Sequence, residues 1–192
     1  MLALGLVWLL SAPGAEAPGG QPGERRAAAS RVAGEGVVLL AAGEALVDGA
    51  PGEVGVAVSV GQELDAREGR IVLALTGGVA VSLDRDSVLA LERFDDVGIA
   101  VRLRRGRVDP ERRGPPFTVT TRAGSVTVTG TAFAVADREA GVELSVYRGS
   151  VRVAEADGSR RRLQIGQRTE LGADRLVSIP REEVESVRQD LA

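Results

Sequence analysis

Two carboxylates in the segment LDRDS, Asp84 and Asp86, are the first residues that could do chemistry. Acidic residues separated by one position point to the same side of a β-strand, which is the beginning of a calcium site or of a glycosidase acid pair. However, the segment lies between two apolar runs, and Arg85 and Ser87 suit a solvated turn. No third ligand or glycine-spaced calcium loop accompanies the pair. We therefore predict a turn here and no metal site.

A second candidate is the arginine-rich segment RLRRGRVDPERRG. Near one turn it places Arg102, Arg104, Arg105, Arg107, Arg112 and Arg113. Such guanidinium groups could receive a phosphate, a carboxylate or an acidic partner through bidentate hydrogen bonds. The alternative is a plain strand surface, in which Arg102 and Arg104 point outward and Val101 points inward. Asp109 and Glu111 would then compensate the charge nearby, and we favour this simpler interpretation.

Several residue types are missing from the sequence. It contains neither cysteine nor histidine, and it contains no lysine. These absences exclude Cys and His nucleophiles, Ser-His-Asp triads, thiolate or imidazole zinc sites, Ser-Lys dyads and Schiff-base chemistry. They also exclude disulfides, so the core alone must stabilise the fold. We predict that the protein is not an enzyme and has no catalytic residue, metal site or cofactor.

The composition limits the classes of partner that the protein could bind. A chain of 192 residues with 44% hydrophobic residues can form one well-packed domain. The formal net charge is −3 with both signs interspersed, so nothing draws the whole molecule to nucleic acid or to an anionic membrane. Only 3% of residues are aromatic, whereas carbohydrate modules and single-strand nucleic-acid platforms rely on aromatic stacking. We predict no nucleic-acid partner.

The N-terminal segment MLALGLVWLL is a short apolar run followed by small residues, a pattern typical of a secretory signal peptide. We predict a signal peptide over residues 1–17 and a flexible tether over residues 18–33. The cleavage point stays open, because the A-x-A motif ending at Ala17 is followed by Pro18 and a cut after Gly14 fits equally well.

No Arg or Lys precedes this apolar run, which is too short to span a bilayer. Either the signal is atypical, or the true start lies upstream and includes a longer membrane anchor; a buried N-terminal strand is the remaining alternative. The predicted location is periplasmic or secreted, with membrane contact only if such an anchor exists.

Between residues 34 and 178, short runs rich in Val and Leu are separated by glycine-containing turns at intervals of roughly 8 to 12 residues. This spacing is typical of an all-β sandwich, barrel or rolled sheet. Within the runs, apolar residues occupy alternate positions, as in Ile71, Leu73 and Leu75, so each strand should have one buried face.

Two Asp-Gly pairs punctuate this region. Asp48-Gly49 and Asp157-Gly158 each stand between two strand-like runs. Both residue types tolerate positive φ, so we predict a two-residue type I′ hairpin turn at each pair.

The segment SVTVTGTAFAV breaks the alternation, because its apolar residues move from even positions (Val126 and Val128) to odd ones (Phe133). A flip at Gly130 indicates a β-bulge or a corner, and Thr131 could hydrogen-bond across it. A catalytic threonine would need an activating base, and the sequence offers neither His nor Lys for that role. We therefore predict a structural corner.

The last segment, SIPREEVESVRQDLA, predicts one helix over residues 179–192. Pro180 suits the first turn, and the Glu182-Glu183 pair suits the positive end of the helix dipole. The apolar stripe consists of Val184, Val187 and Leu191. Since so short a helix is marginal in isolation, we expect it to pack on the β domain.

The segments also follow a recognisable order. GEGVVLLAAGEALVDG would form an opening strand pair, VGQEL a short Gly-turn element, GRIVLALTGGVAVSLDRDSVLALE a central run of strands, and VRLRRGRV a further Gly turn. VELSVYRGSVRV fits a closing hairpin, and LQIGQ its Gly-Gln turn. In FTVTTRAGSVTVTGTAFAV, the residues Gly130, Thr131 and Phe133 match a Gly-Thr-x-Phe signature. From about Gly34 to Leu171 the sequence thus resembles the FecR domain family of bacterial periplasmic domains.

The resemblance implies an all-β, β-helix-like or rolled-sandwich domain that binds other proteins and performs no chemistry. In the best-known family members, the domain lies outside the inner membrane and is joined through one transmembrane helix to a cytoplasmic anti-sigma segment. There it receives a signal from an outer-membrane transporter. The residues show neither that segment nor a full membrane span, so we expect a stand-alone exported FecR-domain protein and not direct control of a sigma factor.

We accordingly predict a protein-interaction or signal-relay module of the bacterial cell envelope, whose partner is another envelope protein. The contact surface would consist of exposed strand edges, the Arg102 to Arg113 turn or the C-terminal helix. The alternative function is binding of an anionic small molecule or polysaccharide at the arginine-rich turn, which would depend strongly on salt.

Overall fold

The computed structural model describes residues 35–75, 79–112, 115–173 and 175–190, and leaves out the side chains of 35–42, 108–112 and 190. The predicted signal peptide, the tether, Arg113 and Leu191 lie outside the described residues, so these remain predictions. Within the described part of the chain, no helix is both long enough and apolar enough to cross a membrane.

Strands make up most of the described chain, as the many Val and Thr residues favour. The first eight are β1 (Glu35–Ala42), β2 (Leu46–Val47), β3 (Ala50–Pro51), β4 (Ala57–Ser59), β5 (Glu63–Asp65), β6 (Arg70–Leu75), β7 (Val79–Leu83) and β8 (Val88–Asp95). The next is β9 (Gly98–Arg112). The last eight are β10 (Phe117–Thr121), β11 (Gly124–Val128), β12 (Ala132–Arg138), β13 (Gly141–Arg148), β14 (Ser150–Glu155), β15 (Arg160–Gln164), β16 (Gln167–Leu171) and β17 (Leu176–Ser178). The fold is all-β, as predicted.

The register of these strands defines two sheets. The first sheet has the order β4-β1-β6-β7-β9-β12-β13-β16-β17. The second sheet has the order β3-β2-β5-β8-β9-β10-β11-β14-β15. The pair β9–β10 is parallel and the other pairs are antiparallel. The chain crosses repeatedly from one sheet to the other, which makes the fold a rolled β-sandwich.

Strand β9 belongs to both sheets. Its first part, up to Arg105, pairs with β8 and β10 in the second sheet. From Gly106 onward it pairs with β12 and β7 in the first sheet. The bend lies at Gly106, where φ is +86°, a left-handed value that glycine adopts without strain. The predicted Gly turn in VRLRRGRV is therefore wrong: the backbone bends there without leaving the strand.

The core lies between the two sheets. Leu64 and Leu89 of the second sheet share one buried cluster with Leu73 and Phe133 of the first. Each such large apolar side chain contributes about 1.5–3 kcal/mol when it is removed from water. The alternation expected from the sequence is confirmed, because β6 buries every second residue.

The two Asp-Gly turns differ. Asp48 and Gly49 have φ values of +52° and +80°, as a type I′ turn requires. At the second pair, Gly158 alone has positive φ (+88°), and its N–H donates to Glu155 O at 3.0 Å. The prediction of a type I′ turn at Asp157 is wrong, since three residues between Glu155 and Ser159 form this connection and only the last is left-handed.

Helix α1 (Arg181–Asp190) covers the outer face of the first sheet. Val184 and Val187 pack with Ile179 against Ala132 and Tyr147. This packing explains why β12 is buried on both faces, since its phenylalanine side faces the core and its alanine side faces the helix. The predicted docking of the helix on the β domain is confirmed.

Candidate functional site

The arginines from the sequence-predicted cluster lie on the bent strand β9. Arg102, Arg104 and Arg105 are exposed, whereas Val101 and Leu103 are buried. The ladder to β8 shifts register opposite Val88 and Leu89. The resulting extra residue lets two consecutive arginines face solvent. The side chain of Arg112 is among those that the structure does not describe.

Each of these three exposed arginines has an acidic neighbour on an adjacent strand or on the strand beyond it. Arg102 Nε lies 2.5 Å from Glu92 Oε1, and Arg104 Nε lies 3.1 Å from Glu63 Oε2. Exposed pairs of this kind contribute about 0–1 kcal/mol each, so they neutralise the surface more than they stabilise it. The outward orientation predicted for Arg102 and Arg104, with Val101 pointing inward, is seen in the structure.

Arg105 continues the series, with its Nη2 3.6 Å from Asp65 Oδ1. The expected compensating residues, Asp109 and Glu111, have side chains outside the description. The partners that are seen were not expected from the sequence: Glu92 lies on β8, the strand before β9, and Glu63 and Asp65 lie on β5, which is distant along the chain.

Ser87 joins the turn before β8 to the bend in β9. The residues Asp84 to Asp86 do form a turn, as predicted, with Asp86 at a φ of +60°. However, Ser87 is fully buried, so its assignment to the solvated turn is wrong. Its hydroxyl donates to Arg107 O at 3.1 Å and accepts the Arg107 N–H at 2.9 Å, which satisfies both groups away from water.

Gly106 makes this contact possible. A Cβ atom at Gly106 would stand 2.3 Å from Ser87 Oγ and 2.4 Å from Ser87 Cα. No side chain therefore fits at this position unless the backbone moves. The bend that carries the exposed arginines thus depends on close packing of two small residues.

An open groove of about 490 Å³ lies at this bend. Its charged lining residues are Arg85, Asp86, Arg104, Arg105, Arg122, Asp137, Arg138 and Glu139. Five of these are arginines and three are acidic, so the groove is positive overall. Arg85 and Arg138 make no ion pair with any described residue. The groove therefore offers guanidinium donors that pair with no acid among the described side chains.

Sequence reasoning missed Arg122 and Arg138 as members of this site. Arg138 reaches it because β12 pairs with the far part of β9, which sets Asp137 opposite Gly106. Arg122 reaches it from the turn after β10, which pairs with the first part of β9. The only sequence signal for this arrangement is the corner at Gly130, which redirects β12 into the first sheet.

Asp137 is the buried acid of the groove, with 5% of its surface exposed. Its Oδ1 lies 2.9 Å from Arg122 Nε, while its Oδ2 has no hydrogen-bond partner among the described residues. Burial raises the pKa of Asp137, although the charge and hydrogen bonds of Arg122 act in the opposite direction. Arg122 also donates to the carbonyl of Arg138, which holds the guanidinium in place.

The guanidinium groups of the groove are suited to binding an anion. Guanidinium groups recognise carboxylates and phosphates by paired hydrogen bonds. No group of three acidic side chains within the described ranges is arranged to hold a metal ion. The arrangement therefore favours an anionic ligand or an acidic protein surface.

The signature residues Gly130, Thr131 and Phe133 lie where the chain leaves the second sheet after β11 and enters the first at β12. Gly130 has a φ of +75°, and Thr131 Oγ1 donates to Ser150 O at 3.0 Å. Phe133 is buried in the core. These residues hold a corner and line no groove described above.

The family model described as FecR protein matches residues 64–152 of this chain. This region is therefore similar to the FecR family. The match is shorter than the span from Gly34 to Leu171 over which the resemblance was expected, but it includes every residue that lines the groove. The FecR region therefore contains both the bend of β9 and the corner at Gly130.

Two solved structures share the fold. Both are crystal structures of a candidate anti-sigma factor from Parabacteroides distasonis, determined at 1.65 Å and 2.50 Å resolution. Each is 21% identical to this chain, with a TM-score of 0.54 over 66% of this chain and 64% of the other. The chain thus spans slightly less than two thirds of the length of these structures. A comparison with curated proteins found no match.

Proposed function

We propose that the chain is a non-enzymatic signal-relay module of the bacterial cell envelope, which acts by binding another envelope protein. The observation that carries the proposal is the FecR family match, because it includes the whole groove at the bend of β9. The fold shared with a candidate anti-sigma factor supports a regulatory role. The missing His, Cys and Lys residues support the absence of catalysis.

The envelope location rests on the apolar run MLALGLVWLL and the small residues after it, which are typical of a signal peptide. Fractionation of cells that express the tagged chain tests this part of the proposal. We expect the tag in the periplasmic or secreted fraction, and recovery in the cytoplasm alone would contradict it.

The groove is the proposed contact. Arg85 and Arg138 have no acidic partner among the described residues, so a carboxylate from a partner protein could pair with them without breaking an existing ion pair. Arg104 and Arg105 widen the positive surface, although each already lies near an acid. Charged groups of this kind set the specificity and rate of association more than its affinity.

The test is capture of the partner from the native envelope fraction with the tagged chain. We expect a defined envelope protein with the wild-type bait and its loss with Arg85→Ala/Arg138→Ala. The double variant Arg104→Ala/Arg105→Ala should weaken recovery less, because part of its charge is already compensated.

The matched control is Arg93→Ala/Arg181→Ala, which removes two exposed arginines outside the groove. This bait should recover the partner as well as wild type does. If all baits recover the same protein equally, the groove is not the contact. If no envelope protein is recovered, the relay proposal itself fails.

A second candidate is binding of an anionic small molecule or polysaccharide in the same groove. The excess of five arginines over three acids favours it. Titration with purified anionic envelope polymers should then show binding that weakens steeply with salt. Absence of binding at low ionic strength would end this candidate.

A further inference from the structure

Strand β15 is the last strand of the second sheet. Among the described strands it pairs only with β14, with Arg162 opposite Arg152 and Arg160 opposite Ala154. Its other edge therefore has no β partner within the described residues. An open strand edge is a template on which another extended chain can pair.

The hydrogen-bond alternation shows which backbone groups face that edge. Glu155 N–H donates to Ser159 O at 2.9 Å, and Ile165 N–H donates to Gly149 O at 3.0 Å, both in the register of the β14–β15 ladder. Because bonded and non-bonded pairs alternate in an antiparallel ladder, the odd residues of β15 bond to β14. The N–H and C=O groups of Arg160 and Arg162 consequently point to the open edge.

Gln164 supports this assignment independently. It belongs to the same even-numbered set, and its N–H donates to Gln167 Oε1 at 2.7 Å instead of to β14. The open edge is thus capped by a side chain at its C-terminal end, and the groups of Arg160 and Arg162 are the ones that remain available.

The side chains along this edge are basic and lack acidic partners. Arg152, Arg160 and Arg162 are exposed, and none forms an ion pair with a described residue. Arg162 donates to Ser150 Oγ from Nε at 3.1 Å and from Nη2 at 2.7 Å, which orients its guanidinium. Together with Thr127, these arginines line a groove of about 610 Å³.

Charged residues on an edge strand normally prevent pairing with other sheets. Arginines at alternate positions would repel a basic strand and would be desolvated by an apolar one. A strand with carboxylates at alternate positions would meet neither obstacle, because residues i and i+2 share a face and cross-strand pairs of opposite charge are favourable. The open strand edge and its positive charge therefore both favour a strand with carboxylates at alternate positions.

We propose that β15 binds an extended acidic segment of a partner protein by strand addition, with alternate carboxylates facing Arg160 and Arg162. This inference rests on the backbone of β15 and stands whether or not the groove at the bend of β9 is functional. A strand is favoured over an anionic polysaccharide because the backbone of an extended peptide presents N–H and C=O groups at the spacing of those on the open edge.

The test is titration of the full chain, at low salt, with a capped peptide in which Thr and Glu alternate over seven residues. We expect the same peptide N-methylated at each residue to bind about tenfold or more weakly, since it keeps the carboxylates and loses the N–H donors. Oligogalacturonate, which carries carboxylates without a peptide backbone, serves as the polysaccharide probe.

Amide hydrogen exchange gives a readout that needs no variant. Bound peptide should slow exchange at Arg160 and Arg162 and leave Gln164, whose N–H is already bonded, unchanged. Arg160→Gln/Arg162→Gln should weaken peptide binding by about tenfold, as loss of charge-assisted contacts implies. The matched control Arg93→Gln/Arg181→Gln should bind as wild type does.

Three results would overturn the proposal: equal binding of the N-methylated peptide, equal binding of oligogalacturonate without amide protection, or no binding of the parent peptide at low salt. The first two would show that charge alone drives association. The last would show that the arginines only keep the edge from pairing.

Discussion

Two pairs of arginines occupy equivalent positions on the outer face of the second sheet and differ in their surroundings. Arg102 and Arg160 even lie in one cross-strand row, which runs through Thr120, Ser125 and Ala154. On β9, Arg102 and Arg104 are neutralised by glutamates from strands to one side. On β15, Arg160 and Arg162 have one neighbouring strand in the described part of the chain, and it contributes another arginine. The alternate spacing of arginines in the sequence therefore does not predict whether they form ion pairs, because that depends on the residues of the neighbouring strands.

The largest expected effect comes from the bend that positions the first pair. Gly106→Ala places a Cβ against Ser87 and forces a positive φ on a non-glycine residue. We expect the free energy of unfolding to fall by roughly 3 kcal/mol, from overpacking plus backbone strain. Urea denaturation monitored by circular dichroism measures this change.

The matched control is Gly158→Ala. This glycine also has a positive φ, +88°, but a Cβ there would meet nothing within 4 Å. We expect a loss of about 1 kcal/mol, from the φ strain alone. Equal losses in the two variants would show that contact with Ser87 does not constrain the bend.

A smaller effect is expected when the second pair is made to resemble the first. Arg152→Glu replaces the like-charge pair with Arg162 by an opposite-charge pair, so the free energy of unfolding should rise by about 0.2–1 kcal/mol. The gain should shrink in high salt. Arg102→Glu, which would set a carboxylate beside Glu92, should change stability in the opposite direction.

Removing the acids beside the β9 arginines tests whether unpaired arginines are enough to bind the peptide or whether an open strand edge is also needed. Glu63→Gln/Glu92→Gln removes the acids beside the β9 arginines and should change stability by less than about 1 kcal/mol, because both ion pairs are exposed. We expect no gain in affinity for the alternating Thr and Glu peptide beyond the wild-type value, since β9 has strands on both sides. A clear gain in that titration would mean that unpaired arginines suffice without an open edge.

The smallest effect is expected at the ion pair between Arg122 and the buried carboxylate of Asp137. Since burial raises the pKa of Asp137, the folded state holds the proton more firmly than the unfolded state. Its contribution to the free energy of unfolding therefore falls as pH rises from the ordinary carboxyl range through the raised pKa. Urea unfolding between about pH 4 and pH 7 measures this contribution. We expect the free energy of unfolding of wild type minus that of Asp137→Asn to decline as pH rises.

Asp157→Asn is the control with the opposite sign. The hydrogen bonds from Ser159 lower the pKa of Asp157, so its contribution is present above the ordinary carboxyl pKa and is lost as pH falls. Parallel slopes for the two variants would contradict the assignment of burial as the cause at Asp137.

Local patterns predicted the fold well and the site poorly. The alternation in β6 and β7 and the packing of Val184 and Val187 on one side of α1 are properties of neighbouring residues, and both appear in the structure as expected. Ser87 was misassigned because its hydrogen-bond partner is 20 residues away. Arg122 and Arg138 were missed because the pairing of β10 and of β12 with β9, which no local period encodes, brings them to the groove.

The position of strand β9 at the centre of both sheets also affects how the protein unfolds. In each sheet four of the described strands lie on either side of it, those before it in the chain on one side and those after it on the other. Neither sheet can lose this strand without disrupting the other, so both should melt in one cooperative transition. The central amides of β9 should then exchange only through global unfolding, at the slowest rate in the protein.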